Sequence, residues 1–96
     1  MKPVLPNGIV AIVKKECATC EMVAPLLPTI AASGTPLTVY TQDDPSFPAG
    51  TNSLHDADLS VSWHYDIETV PTLLRIENGV EVDRTYGWQK EAWQKF

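Results

Sequence analysis

Ile9-Val10-Ala11-Ile12-Val13-Lys14-Lys15-Glu16-Cys17-Ala18-Thr19-Cys20 is the stretch that decides how the rest of the chain is read. Its first five residues are apolar without interruption, and four of them are β-branched. A short run of that kind, lacking polar alternation, reads as a strand covered on both faces, as in a parallel sheet. Beyond Cys20, residues Met22, Val23, Leu26, Leu27 and Ile30 recur at helical spacing. They predict a helix over 18–32 with one buried face, stopped by Ser33-Gly34. Pro25 and Pro28 lie inside it. Each removes a backbone donor and crowds the preceding turn, so a kink is expected.

Leu37-Thr38-Val39-Tyr40-Thr41 reads as a second strand. Strand, helix and strand over about 33 residues make a right-handed βαβ unit with parallel strands. Residues 42–56 are rich in Asp, Pro, Ser, Gly and Asn and read as a loop. Asp56 is placed to cap a short helix carrying Leu59 and Trp63, four residues apart. Thr72–Ile76 and Val80–Tyr86 are strands joined by the hairpin turn Asn78-Gly79. Gly87 ends the second of these. Trp88, Ala92, Trp93 and Phe96 fall on one face of a last helix, and residues 1–8, with two prolines, form an irregular lead-in. The expected architecture is a single α/β domain over residues 1–96. It has a minimal βαβ-αββα core, with a four-stranded mixed sheet flanked by helices.

Bulk properties narrow the function. Ninety-six residues suffice for one domain, and 44% apolar residues suit a globular core rather than a disordered chain. A net charge of -5 with one basic pair, Lys14-Lys15, argues against nucleic acid and anionic membranes as partners. No stretch approaches the roughly 20 apolar residues of a membrane span. Ile9–Val13 is too short for a signal-peptide core, and no small-residue cleavage site follows it. A cytoplasmic location is therefore expected.

The chain has two cysteines, separated by two residues. A strand delivers them to a helix start at the carboxyl edge of a sheet. There, unpaired backbone N–H groups and the helix dipole favour a negative charge, and a thiolate is such a charge. Cys20, one turn on, can reach Cys17, so the pair can cycle between dithiol and disulfide. A zinc site needs about four ligands, and His55 and His64 are not at zinc-finger spacing. A structural disulfide closing so short a loop would constrain little chain, and two unrelated buried cysteines are the remaining reading.

The segments Cys17–Leu27 (CATCEMVAPLL), Leu37–Asp43 (LTVYTQD) and Tyr65–Gly79 (YDIETVPTLLRIENG) resemble the thioredoxin superfamily over nearly the whole chain. The matching features are the C-x-x-C, Pro25 five residues after its second cysteine, Val70-Pro71-Thr72 at the place of that family's cis-proline, the Glu77-Asn78-Gly79 turn, and Gly87 closing the last strand. Four places depart from the pattern. Glu16 replaces the tryptophan before the first cysteine, and Ala18-Thr19 replaces Gly-Pro. Ala11 stands where the family has a buried aspartate behind the second cysteine. The extra N-terminal strand and helix have no room, which leaves a glutaredoxin-sized core.

The resemblance implies a thiol-disulfide oxidoreductase with Cys17 as nucleophile and Cys20 as resolving thiol. Val70, Pro71, Ala18 and Thr19 would face the substrate. It implies no metal or organic cofactor beyond a redox-active Cys17–Cys20 disulfide. The partners would be a protein or small-molecule disulfide or dithiol, and an electron-donor protein such as a reductase. The alternative is a binding or redox-sensor module that uses the same face to dock a partner or another domain of a longer polypeptide. An iron–sulfur or metal carrier bridging two chains is a third reading. Among the other residues, Trp63 and Trp93 are expected in the core on helical spacing. His55 and His64 are expected at the surface, and Lys14 and Lys15 as ordinary solvated charges. Residues 44–56, an insertion relative to ordinary thioredoxins, lie at the sheet edge where ligands bind and are expected either to shape partner choice or to be a tolerated surface insertion.

Overall fold

Gly8–Val13 (β1) occupies the centre of a five-stranded sheet and is buried along nearly its whole length. The computed structural model describes residues 5–32, 34–44, 46–47, 53–56 and 59–87. In chain order the further elements are α1 (Ala18–Val23), α2 (Leu26–Ala32), β2 (Leu37–Thr41), β3 (Ser53–His55), α3 (Ser60–His64), β4 (Thr72–Glu77) and β5 (Val80–Tyr86). The expected last helix, with Trp88 and Trp93, lies outside the described residues.

The strand order is β3-β2-β1-β4-β5. β1 runs parallel to β2, with Ala11 opposite Val39, and antiparallel to β4, with Ala11 opposite Leu73. β4 and β5 form an antiparallel hairpin with an irregularity between Arg75 and Ile76. The sheet is thus mixed and covered on both faces, as β1's composition requires. Alternate β1 residues divide between two cores. Ile9, Ala11 and Val13 pack with Cys20, Val23, Leu27, Val39 and Leu73. Val10 and Ile12 pack with Leu5, Val61, Tyr65, Leu74 and Ile76. Full burial of each large aliphatic side chain contributes about 1.5–3 kcal/mol.

The predicted helix over 18–32 is two helices. Pro25 has no N–H to continue the first, and the Ala24 N–H closes it on the Cys20 carbonyl at 3.0 Å. Pro28 is the third residue of α2, where a backbone N–H has no intrahelical partner in any case. Of the predicted apolar face, Val23 and Leu27 are buried while Met22 and Leu26 are exposed.

The expected four strands are five, because the 42–56 segment contains β3, pairing parallel with β2 from Val39–Thr41. Asp56, directly after it, is 3% exposed and caps α3: its carboxylate accepts from the N–H groups of Val61 and Ser62 at 3.0 Å and from the Ser62 hydroxyl at 2.8 Å. Trp63, expected in the core, is 75% exposed. Two apolar pairs at i,i+4 compete for the inner face of this short helix. Val61 and Tyr65 take it, which turns Leu59 and Trp63 outward.

Two glycines are forced by geometry. At Gly8, with φ +108°, a Cβ would lie 2.5 Å from the Pro36 carbonyl oxygen. Asn78 and Gly79, with φ of 54° and 77°, form the hairpin turn that the right-handed strand twist favours.

Candidate functional site

Cys17 is the N-cap of α1, in an extended conformation with φ -154° and ψ 113°. Its Sγ accepts the Cys20 N–H at 3.2 Å, taking one of the donors that a helix start leaves open. The same Sγ donates to the Val70 carbonyl at 3.7 Å, a contact spanning 53 residues of sequence. Both thiols are free; Cys17 is half-buried and Cys20 is fully buried. Of the residues expected to face a substrate, Ala18 is exposed and Thr19 half-buried on the first turn of α1. Val70 is half-buried, and Pro71, joined to it by a cis peptide bond, is buried. The structure therefore brings Cys17, Cys20 and Val70 together, with Pro71 next in the chain.

The two sulfurs differ in what surrounds them. Burial among Val13, Val23, Leu27 and Leu73 pushes the Cys20 thiol up to about 12, and its hydrogen bond with Cys17 pushes the same way. Backbone bonding from Lys14 opposes this in part. A thiolate in hydrocarbon has lost its hydration, which is why the neutral form wins there. Ala11, fully buried in the same cluster, has no group that could accept the proton.

Asp43 shapes the approach to the motif, a role the sequence reading did not find. Its carboxylate accepts the Lys15 N–H at 2.8 Å and the Glu16 N–H at 3.0 Å, the two backbone donors immediately before Cys17. It also accepts the Asp44 N–H at 2.7 Å and the Thr41 hydroxyl at 3.4 Å. Desolvation works against the charged form of Asp43, but these hydrogen bonds outweigh it and hold its carboxyl below the ordinary range. Asp44 is lowered to about 2, first by the Ser46 hydroxyl and backbone N–H, then by Lys15, whose ammonium lies 3.2 Å away. Lys15 is thus bound to the loop after β2 rather than free beside the thiols. The available signal was an acidic pair at the carboxyl end of a strand parallel to β1.

Neither histidine joins the cysteines. His55 is exposed on β3, and His64 stands edge-on to Trp63 with ring centroids 4.9 Å apart. Among the described residues no three His, Cys, Asp or Glu side chains are grouped to hold a metal ion, and no helix is long and apolar enough to cross a membrane.

No protein-family model matches the chain, and no curated protein matches it in sequence. Solved structures do. A protein assigned as the thiol:disulfide interchange protein DsbE from Chlorobium tepidum superposes with a TM-score of 0.77 at 17% identity, over 91% of this chain and 74% of that one. Mycobacterium tuberculosis DsbF gives 0.76 at 19% identity, over 95% and 78%. Plasmodium falciparum thioredoxin gives 0.66 at 19%, over 92% and 79%. The likeness is one of fold, and that fold is the thioredoxin-superfamily fold.

Proposed function

We propose that this thioredoxin-fold chain is a thiol-disulfide oxidoreductase acting through Cys17 and Cys20. One observation carries the reading: a half-exposed thiol caps a helix, bonded to the Cys20 N–H and the Val70 carbonyl, while its partner thiol lies buried one turn away.

In the proposed reaction the Cys17 thiolate attacks one sulfur of a substrate disulfide. A Cys17–substrate bond forms, the substrate S–S bond breaks, and the departing thiolate takes up a proton. Cys20 then gives up its proton and attacks Cys17 Sγ. The Cys17–Cys20 bond forms, and the second substrate thiolate leaves and is protonated. Two electrons have passed from the protein dithiol to the substrate. A dithiol donor, such as a reductase, restores the starting state, and the reverse sequence oxidises a dithiol. No other cofactor enters. In this reading the Val70 carbonyl accepts from the substrate backbone, and Pro71, Ala18 and Thr19 take part in the same contact.

The test is to expose reduced protein to a disulfide and identify the adducts by mass spectrometry. The wild type should pass to an intramolecular disulfide, Cys20→Ser should accumulate the mixed disulfide on Cys17, and Cys17→Ser should form none. Alkylation at neutral pH should modify Cys17 first. Faster reaction at Cys20, or no mixed disulfide in Cys20→Ser, would reverse or remove the assignment. Equilibration with glutathione sets the direction of flow. A potential of about −270 mV fits a thioredoxin-type reductant, and one of about −120 mV fits an oxidase.

A further inference from the structure

The backbone that carries the chain from β1 into the thiol pair has an acceptor for each of its donors. The Lys14 N–H donates to the Cys20 sulfur. The Lys15 N–H donates to Asp43 Oδ1 at 2.8 Å and the Glu16 N–H to Asp43 Oδ2 at 3.0 Å. The Cys17 N–H closes a tight turn on the Lys15 carbonyl at 2.8 Å. Asp43 reaches this bridge because β2 runs parallel to β1. Val13 stands opposite Thr41, the Gln42 N–H donates to the Val13 carbonyl at 2.9 Å, and Asp43 is the next residue. Its carboxylate is fixed in turn by the Asp44 N–H and the Thr41 hydroxyl. Lys15 and Glu16 are exposed, so their backbone is fixed by that carboxylate rather than by close packing.

We propose that Asp43 is a positioning residue for the resolving half of the exchange: by holding the bridge from Lys14 to Glu16 it keeps the Lys14 N–H on the Cys20 sulfur while that sulfur becomes anionic. The inference rests on the disulfide-exchange reading and adds to it a residue outside the C-x-x-C. In the resolving step Cys20 gives its proton to solvent and its sulfur forms the bond to Cys17. The Cys17–substrate bond breaks with its electron pair on the substrate sulfur, which takes up a proton from solvent. The Cys20 anion forms where β1, α1, α2, β2 and β4 contribute Val13, Val23, Leu27, Val39 and Leu73. A donor N–H aimed at the sulfur offsets part of the hydration lost there. The titratable groups acting on Cys20 are Cys17 and Asp43. Burial first, then the bond with Cys17, disfavour its thiolate; the Asp43 charge adds to them, and among these causes only the Lys14 N–H acts in its favour. Asp43 therefore works in opposite directions through its charge and through its hydrogen bonds.

That opposition gives a test by sign. The reduced full chain is mixed in stopped flow with dithiobis(nitrobenzoate), whose coloured thiolate is released once on capture by Cys17 and again on resolution by Cys20. Asp43→Ala should slow the second release about tenfold and move its pH dependence upward. Capture, read alone in Cys20→Ser with and without Asp43→Ala, should change far less. Asp43→Asn, which keeps one acceptor oxygen, should recover part of the rate. Asp44→Ala removes the ion pair with the Lys15 ammonium and the Ser46 contacts but no acceptor of a bridge N–H, and should leave release within about twofold. Amide hydrogen exchange should show Lys14, Lys15 and Glu16 losing protection in Asp43→Ala and not in Asp44→Ala. Faster release in both Asp43 variants would mean that charge is what acts, and equal losses in capture and release would mean that the site as a whole has loosened. Either result, unchanged protection of the bridge, or equal slowing by Asp44→Ala would overturn the proposal. A wild type that captures nothing would refute the oxidoreductase reading itself, whereas two-step release untouched by Asp43→Ala would refute the positioning role and leave that reading standing.

Discussion

On one face of the sheet, Ile9, Ala11, Val13, Val23, Leu27, Val39 and Leu73 enclose Cys20 in hydrocarbon. On the other, Val10, Ile12, Leu74 and Ile76 pack against Val61 and Tyr65 of a five-residue helix, and that helix is held by a buried carboxylate. α3 is too short to persist on its own backbone hydrogen bonds, so Asp56 supplies three more. The first face buries a group that must ionise in the proposed exchange and, among the described residues of that cluster, gives it no proton acceptor. The second buries a group with its hydrogen-bond partners in place. Burial therefore opposes ionisation on one side and fixes a short helix on the other.

Exchanging the two environments is the sharpest way to break that comparison. Ala11→Asp places a carboxyl in the dry face with no described partner, and should destabilise the fold by about 3 kcal/mol or more at neutral pH, read from urea unfolding. The same carboxylate could take the Cys20 proton, so in stopped-flow traces the release of mixed disulfide should accelerate. Unchanged release with the fold intact would show that proton transfer is not limiting.

Asp56→Ala removes a carboxylate whose partners lie in the buried first turn of α3. The N–H groups of Val61 and Ser62 are then left open, at about 2 kcal/mol, or roughly 10 °C in thermal midpoint. Asp56→Asn should cost less, since its amide oxygen still accepts. Equal losses in the two variants would mean that the hydrogen bonds are not what holds α3.

The smallest expected effect is the one read just above pH 9. The Cys20 thiol is raised from 9.0 to about 12 in the folded chain. The stability linked to its neutral form is complete below about 9, the unfolded value, and is lost as pH rises from there toward 12. The reduced wild type should lose urea resistance above pH 9 more steeply than Cys20→Ala. Parallel curves would mean that Cys20 does not titrate with unfolding.

Local signals carried most of the fold. β1 was readable because five apolar residues allow few other roles, β5 because Asn78-Gly79 marks its turn, and the thiol pair because two cysteines lie at the junction of strand and helix. What escaped was decided by competition or by distance. Leu59 and Trp63 have the spacing of a buried pair, but Val61 and Tyr65 share that spacing and win the inner face. β3 is three residues long in a segment composed like a loop, and its pairing partner, β2, lies earlier in the chain. Asp43 reaches the motif across 28 residues, through backbone N–H groups that side-chain patterns do not reveal. Pro25 was legible as a disturbance, but it ends the first helix rather than bending it, the Ala24 N–H closing on the Cys20 carbonyl.

Cys17 and Cys20 stand next to β1, whereas Val70 is delivered by the segment leading into β4, 53 residues from Cys17. A chain emerging from the ribosome has both sulfurs long before it has the carbonyl that meets one of them and the Leu73 side chain that helps seal the other. The β4–β5 hairpin, closed by a two-residue turn, can form early because its contacts are local. Its docking onto β1 comes later, since it must close the long intervening loop. Until then the two thiols are chemically alike and open to any disulfide they meet. The contrast between one accessible and one buried sulfur is thus acquired during folding, at the step when the hairpin docks, and loss of Cys20 reactivity reports that step.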